Sequence, residues 1–262
     1  MSDSSHISDY SRYFSPGQKV YLVNRSEERN NDLYESLSGV VTSSNKNMLE
    51  LKIAHGETGA VTAETGAITY KLTSEALGSG IQVLADLTGT GAGNICQFCI
   101  HGTLELFQRR IVSRAEFSAS IFHVSKKMSL SVLKKEWQRV HSHLAETGEL
   151  SGLVLQDTRI DVSAGGIGLT VASDKRPLPL SMFFIGLDEG LPVCALAETV
   201  WDQRAAGGLR CGFRFVHILK TDQQRIDNKV VNEIRKNGGA PLDYKRNWVL
   251  VDKMVADIHK PS

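Results

Sequence analysis

The sequence predicts a mainly β protein of two small β-barrels in tandem, with a helical insertion in the second barrel and C-terminal helices. Three observations lead there. The chain has 262 residues, which at roughly 150 residues per domain suits two modest domains. Hydrophobic residues make up 41% and charged residues 23%, so each half can bury a core. Short runs of period-two alternation, separated by turn residues, recur through both halves.

Residues 1–16 begin with a polar Ser-, Asp- and His-containing segment and are expected to form a flexible N-terminus. From 17 to 107, Val20, Leu22, Val40, Leu49, Leu51 and Ile53 alternate as in half-buried strands, and residues 43–47 form a hairpin-like break. The Gly-rich stretch Gly89-Thr90-Gly91-Ala92-Gly93 lacks a lysine and no helical pattern follows it. It therefore fits neither a P-loop nor a dinucleotide fingerprint and reads as a flexible loop. Cys96 and Cys99 form a C-x-x-C without a second pair or paired histidines at finger spacing, and read as strand cysteines.

In the second half, Ala115, Phe117, Ala119 and Ile121 alternate against polar neighbours. The pattern then changes period. Leu130, Leu133, Trp137, Val140 and Leu144 recur at steps of three and four, predicting a helix over about 129–146 with Ser129 as N-cap and Gly148 at its end. Its apolar seam suits either the chain's own barrel, the expectation adopted here, or a second copy in a homodimer. Strands are predicted at 153–160, 166–172, 180–187, 192–201 and 210–219. A capping box of Thr221 and Gln224 then opens a helix with the stripe Ile226, Val230 and Ile234, stopped by Asn237-Gly238-Gly239. Trp248, Val251, Val255 and Ile258 space as one more amphipathic helix in a C-terminal extension, 237–262.

Composition also excludes function classes. A net charge of +1 gives no overall field toward nucleic acid, an anionic membrane or an acidic substrate, so any anion site is local. The N-terminus lacks signal-peptide order and no apolar run approaches the roughly 18 to 20 residues of a membrane span, which makes a cytoplasmic location and no membrane insertion the expectation. The eight histidines are scattered, without H-E-x-x-H, and no G-x-S-x-G elbow occurs. His141 and His143 are two residues apart on a predicted helix, so their rings do not share a face. Neither catalysis, nor a metal, nor a cofactor is expected.

Two segments carry recognition chemistry. Arg110 and Arg114 form R-x-x-x-R, preceded by Arg109, and Asp161 to Gly166 form D-x-S-x-x-G running into a predicted strand. Arginine pairs bidentately with phosphate or with guanine O6/N7 and stacks on purines. A carboxylate accepts from guanine N–H groups, a hydroxyl adds a bond, and glycine permits close backbone approach. Together the segments match a guanine nucleotide.

In this order, the two motifs resemble those of the PilZ family, over roughly residues 105–236. The resemblance implies a six-stranded barrel at 108–236 that binds cyclic di-GMP, with Arg109, Arg110, Arg114, Asp161, Ser163, Gly165 and Gly166 as ligand-binding residues. The preceding half, 17–107, is similar more loosely to the split-barrel N-domain of flagellar brake-type proteins. Ile111, Val112 and Ser113 stand where family members often carry an aromatic residue. The implied function is a bacterial signal receptor or adaptor whose interdomain packing changes on binding cyclic di-GMP, controlling motility, secretion or exopolysaccharide through a protein effector. The competing reading is a PilZ-type interaction module that does not bind nucleotide. A flavin or nucleic-acid polymer binder in the first half is disfavoured by the lack there of a basic run interleaved with aromatics.

Overall fold

The computed structural model describes residues 9–25, 32–55, 68–76, 79–107, 113–148, 152–172, 174, 176–187 and 190–241. It comprises two compact units: residues 37–107 together with 9–25, and residues 113–241 together with 32–36. The predicted helix after position 242 lies outside the described residues.

The strands in chain order begin with β1 (Lys19–Asn24), β2 (Leu33–Glu35), β3 (Leu37–Asn45) and β4 (Met48–Ile53), followed by β5 (Thr69–Ala76), β6 (Ser79–Gly91) and β7 (Ile95–Phe107). All but β2 build the first unit, a closed antiparallel barrel in the order β1-β3-β4-β7-β6-β5. Val20, Leu22, Leu49, Leu51 and Ile53 lie in its core as the alternation predicts. Val40 does not: it is 41% exposed, and Val41 is buried instead. The phase of β3 is set by Gly39, which pairs with core-facing Val20 and packs against Ile53, so positions 39 and 41 face inward. The Gly-rich stretch is part of a hairpin rather than a separate loop. Gly89 and Gly91 pair with Gln97 and Ile95, and the turn is confined to 92–94, where Gly93 and Asn94 take positive φ. Cys96 is buried on β7, and all four cysteines are free.

The second unit contains β8 (Ala115–Ser125), α1 (Leu130–Thr147), β9 (Gln156–Ser163), β10 (Gly166–Val171), β11 (Leu180–Gly186), β12 (Val193–Ala205), β13 (Gly208–Leu219) and α2 (Lys220–Lys236). Its sheet runs β10-β9-β8-β11-β12-β13, and pairing of β10 with β13 closes a six-stranded barrel. The chain is thus mainly β, with two closed six-stranded barrels. Ala119, Ile121, Ile160, Phe183, Phe215 and the α2 residues Ile226 and Val230 share one core.

The inserted helix begins at the predicted Ser129 cap, whose hydroxyl accepts from the Val132 amide, and ends at left-handed Gly148. Leu130, Leu133, Trp137 and Leu144 are buried, with the helix against β11 and β12. The Trp137 indole N–H donates to the Cys194 carbonyl at 2.8 Å. The seam therefore packs on the chain's own barrel.

Helix α2 departs from the predicted capping box. β13 runs into it directly with Leu219 as N-cap and no side-chain cap bond, while the Thr221 hydroxyl donates to Asp32 at 2.9 Å. Asp32 precedes β2, which pairs with the end of β13 through Leu33↔Leu219 and Glu35↔His217. A segment that precedes β3 in sequence thus completes the sheet of the second unit. Glu35 anchors it, 2.6 Å from His217 Nδ1 and 3.4 Å from Lys134 Nζ.

Candidate functional site

Among the sequence-predicted residues, Arg109 and Arg110 lie outside the described residues. Arg114 immediately precedes β8, and its Nη1 is 3.2 Å from Asp161 Oδ2 on β9. The register explains the meeting: Ala115 pairs with Val162 and Glu116 with Asp161, so the start of β8 lies beside the end of β9. Val162 points into the core, which turns Asp161 and Arg159 to the outer face.

Ser163, Gly165 and Gly166 form the tight turn into β10. Ser163 is only 1% exposed, and its hydroxyl spans the turn, donating to the Gly166 carbonyl at 3.5 Å. The Gly165 carbonyl accepts from the Phe215 amide at 3.0 Å, and Gln223 of α2 donates to the Ala164 carbonyl at 3.0 Å. At Gly166, a Cβ would lie 2.2 Å from the Phe213 carbonyl oxygen and 3.2 Å from Arg214 Cα. The glycine is required there by the closing β10–β13 contact. Of the motif residues described, Arg114 and Asp161 present their polar groups outward, while Ser163 and the glycines build the turn behind them.

Four residues not assigned to the site from the sequence, Glu116, Arg159, Trp201 and Arg210, complete the outer face. Glu116 accepts from Arg159 at 3.2 Å and from Arg210 at 3.1 Å, and Arg210 Nη2 is also 3.9 Å from Asp161 Oδ2. Hydrogen bonds from Arg159 and then Arg210 hold the Glu116 carboxyl below its ordinary range. The row across the sheet reads Glu116, Asp161, Gly168, Gly212, Trp201. Trp201 is 43% exposed and lies across Gly212, where a Cβ would come within 2.3 Å of its indole ring. Period-two phase from Asp161 and the paired strand glycines are the signals for these positions; which strands adjoin was not readable from a local pattern.

The result is a surface of guanidinium groups, one outward carboxylate pair and an exposed indole face on a floor thinned by two glycines. It can donate to phosphate oxygens, accept from N–H donors of a base edge and stack a planar ring. Among the described residues no group of three or more His, Cys, Asp or Glu is placed to hold a metal ion, and no helix is long and apolar enough to cross a membrane.

The second unit is thus a closed six-stranded barrel with a polar, arginine-rich patch beside its β9–β10 turn. Residues 134–232 match the PilZ domain family, and the chain carries a PilZ domain there. The Asp161–Gly166 motif lies inside the matched span and Arg114 lies before it. No curated protein matches the chain. Several solved structures are similar to it, three of which follow. Bacillus subtilis inhibitor of motility MotI/DgrA is 12% identical, with 85% of this chain and 99% of that chain covered and a TM-score of 0.35. Escherichia coli YcgR in complex with c-di-GMP is 15% identical, covering 84% and 85%, with a TM-score of 0.28. K. pneumonia MrkH in its c-di-GMP complex is 12% identical, covering 85% and 89%, with a TM-score of 0.30.

Proposed function

We propose that the chain is a cyclic di-GMP receptor, with the ligand held on the outer face beside the β9–β10 turn by Arg114, Asp161 and the arginines at 109 and 110. The observation that carries this reading is the meeting of Arg114 and Asp161 at 3.2 Å, outside the core and beside the Trp201 indole row. In this reading the arginines take phosphate and Hoogsteen acceptors, Asp161 accepts from guanine N–H groups, and Trp201 offers a stacking plane. The role is that of a cytoplasmic adaptor rather than an enzyme, passing the signal to a protein effector in motility, secretion or exopolysaccharide control.

Calorimetric titration of the full chain with cyclic di-GMP tests it. Each of Arg114→Ala and Asp161→Ala is expected to weaken binding roughly 10-fold to 150-fold, from about 1.5 to 3 kcal/mol for a hydrogen bond to a charged group. Circular dichroism should show an intact barrel. Wild-type affinity in both variants would remove the basis of the assignment.

One observation favours a second reading, a PilZ-type interaction module without nucleotide binding. Ser163 and Gly166 serve the turn itself, so part of the motif has a structural reason to be present without any ligand. Absence of heat change and of Trp201 fluorescence change on adding the dinucleotide would support that reading.

A further inference from the structure

Among the described residues, one arginine that no motif marks reaches across the site from another strand. Arg210 starts on β13, yet its Nη2 lies 3.1 Å from Glu116 Oε1 on β8 and 3.9 Å from Asp161 Oδ2 on β9. Strand β10 lies between β13 and β9, and the position of β10 beside Asp161 is Gly168. Gly168 puts no side chain of β10 at that level in the way of the crossing guanidinium. A side chain from β13, on the other side of β10, thereby joins the group formed by Arg114 and Asp161.

The group that Arg210 meets on arrival is a carboxylate. Glu116 engages Arg210 with one oxygen and Arg159 with the other. A phosphate diester presents the same chemistry, two anionic acceptor oxygens suited to a guanidinium fork. A carboxylate and a phosphate cannot both take the same face of one fork.

We propose that Arg210 is a further ligand-binding residue of this site and that Glu116 is its built-in competitor, holding the guanidinium that a phosphate of the ligand takes over on binding. This rests on the cyclic di-GMP reading above. Glu116 then sets affinity from within: its bonds to Arg210 must break for the ligand to bind, and re-form when it leaves. The exchange is possible because both side chains are about half exposed, at 45% for Glu116 and 46% for Arg210, so neither is locked in the core.

The experiment is a double-mutant cycle on the full chain, with cyclic di-GMP titrated calorimetrically into wild type, Glu116→Gln, Arg210→Gln and the pair. Removing the competitor should tighten binding about five-fold, the scale of an exposed ion pair. Removing the arginine should weaken it about ten-fold or more, and the pair should bind no tighter than Arg210→Gln alone. Unchanged or weaker binding by Glu116→Gln overturns the proposal. So does a gain that persists in the Arg210→Gln background, because that is the field of one removed charge rather than release of Arg210. Wild-type protein that fails to bind at all overturns the receptor reading and this one with it, whereas wild-type binding with a flat cycle overturns this one alone. Near-ultraviolet circular dichroism of each variant checks the fold, and Glu116→Asp, too short to keep both arginines, should reproduce the gain if Glu116→Gln is unstable.

Discussion

Gly166→Ala should damage the second barrel directly, independent of any ligand. The added Cβ would sit 2.2 Å from the Phe213 carbonyl oxygen, with the Phe213 carbonyl carbon and Arg214 Cα each at 3.2 Å. All three are backbone atoms of β13, so no side-chain rotation relieves the overlap. The strands must separate by about 1 Å to restore an ordinary contact, in an interior packed at crystal-like density. Overpacking costs about 1 to 3 kcal/mol, and the neighbouring Phe215 amide to Gly165 carbonyl bond at 3.0 Å contributes about 1 kcal/mol more if it is lost. The unfolded-state entropy lost with glycine offsets about 0.4 to 1 kcal/mol. A net loss of roughly 2 to 3 kcal/mol should lower the urea midpoint of this unit by on the order of 1 M, and its melting temperature by about 10 °C. Trp137 fluorescence follows the unfolding, since that residue is buried in the same unit. Gly168→Ala is the control: its Cβ meets Asp161 and Cys211 atoms only at 3.6 to 3.7 Å, ordinary contact, so stability should stay within about 0.5 kcal/mol or rise slightly. A Gly166→Ala protein as stable as wild type would refute the packing argument and return this glycine to a role in ligand approach.

Trp137→Phe should destabilise the second unit by about 1 to 3 kcal/mol in urea titration, because the buried Cys194 carbonyl loses its indole donor. Trp137→Ala should cost more, about 3 to 5 kcal/mol, without changing the mass seen by light scattering, since the seam is spent within the chain. Burial pushes the Glu35 carboxyl up, but its bond to His217 and the charge of Lys134 outweigh this and hold it below its ordinary 4.5. A depressed acid stabilises the fold fully above 4.5 and loses that contribution as pH falls through the lower folded value. Glu35→Gln should therefore cost roughly 1 kcal/mol at pH 7, a deficit that shrinks below about pH 4.5 in denaturation curves taken across that range. On addition of cyclic di-GMP, Trp201 emission should be quenched and Trp201→Phe should abolish that change, while persistence of the full change would place the stacking elsewhere.

Several features with a local physical cause were legible in the sequence. Ser129 and Gly148 bound the inserted helix because a hydroxyl acceptor and a left-handed residue act within one turn. The alternation of Ala115, Phe117, Ala119 and Ile121 announced β8, and the outward chemistry of Asp161 could be read beside its motif. Tertiary structure decided what depends on pairing between distant strands. Val40 faces out because Gly39 had to meet Val20, and Thr221 bonds to Asp32 because β2 joins the sheet of the second unit. The same cause hid Arg210, Glu116 and Trp201. A side chain's face repeats every two residues along its own strand, but which strand lies beside it is settled by hydrogen bonds between segments far apart in the chain, and the site is assembled from those pairings.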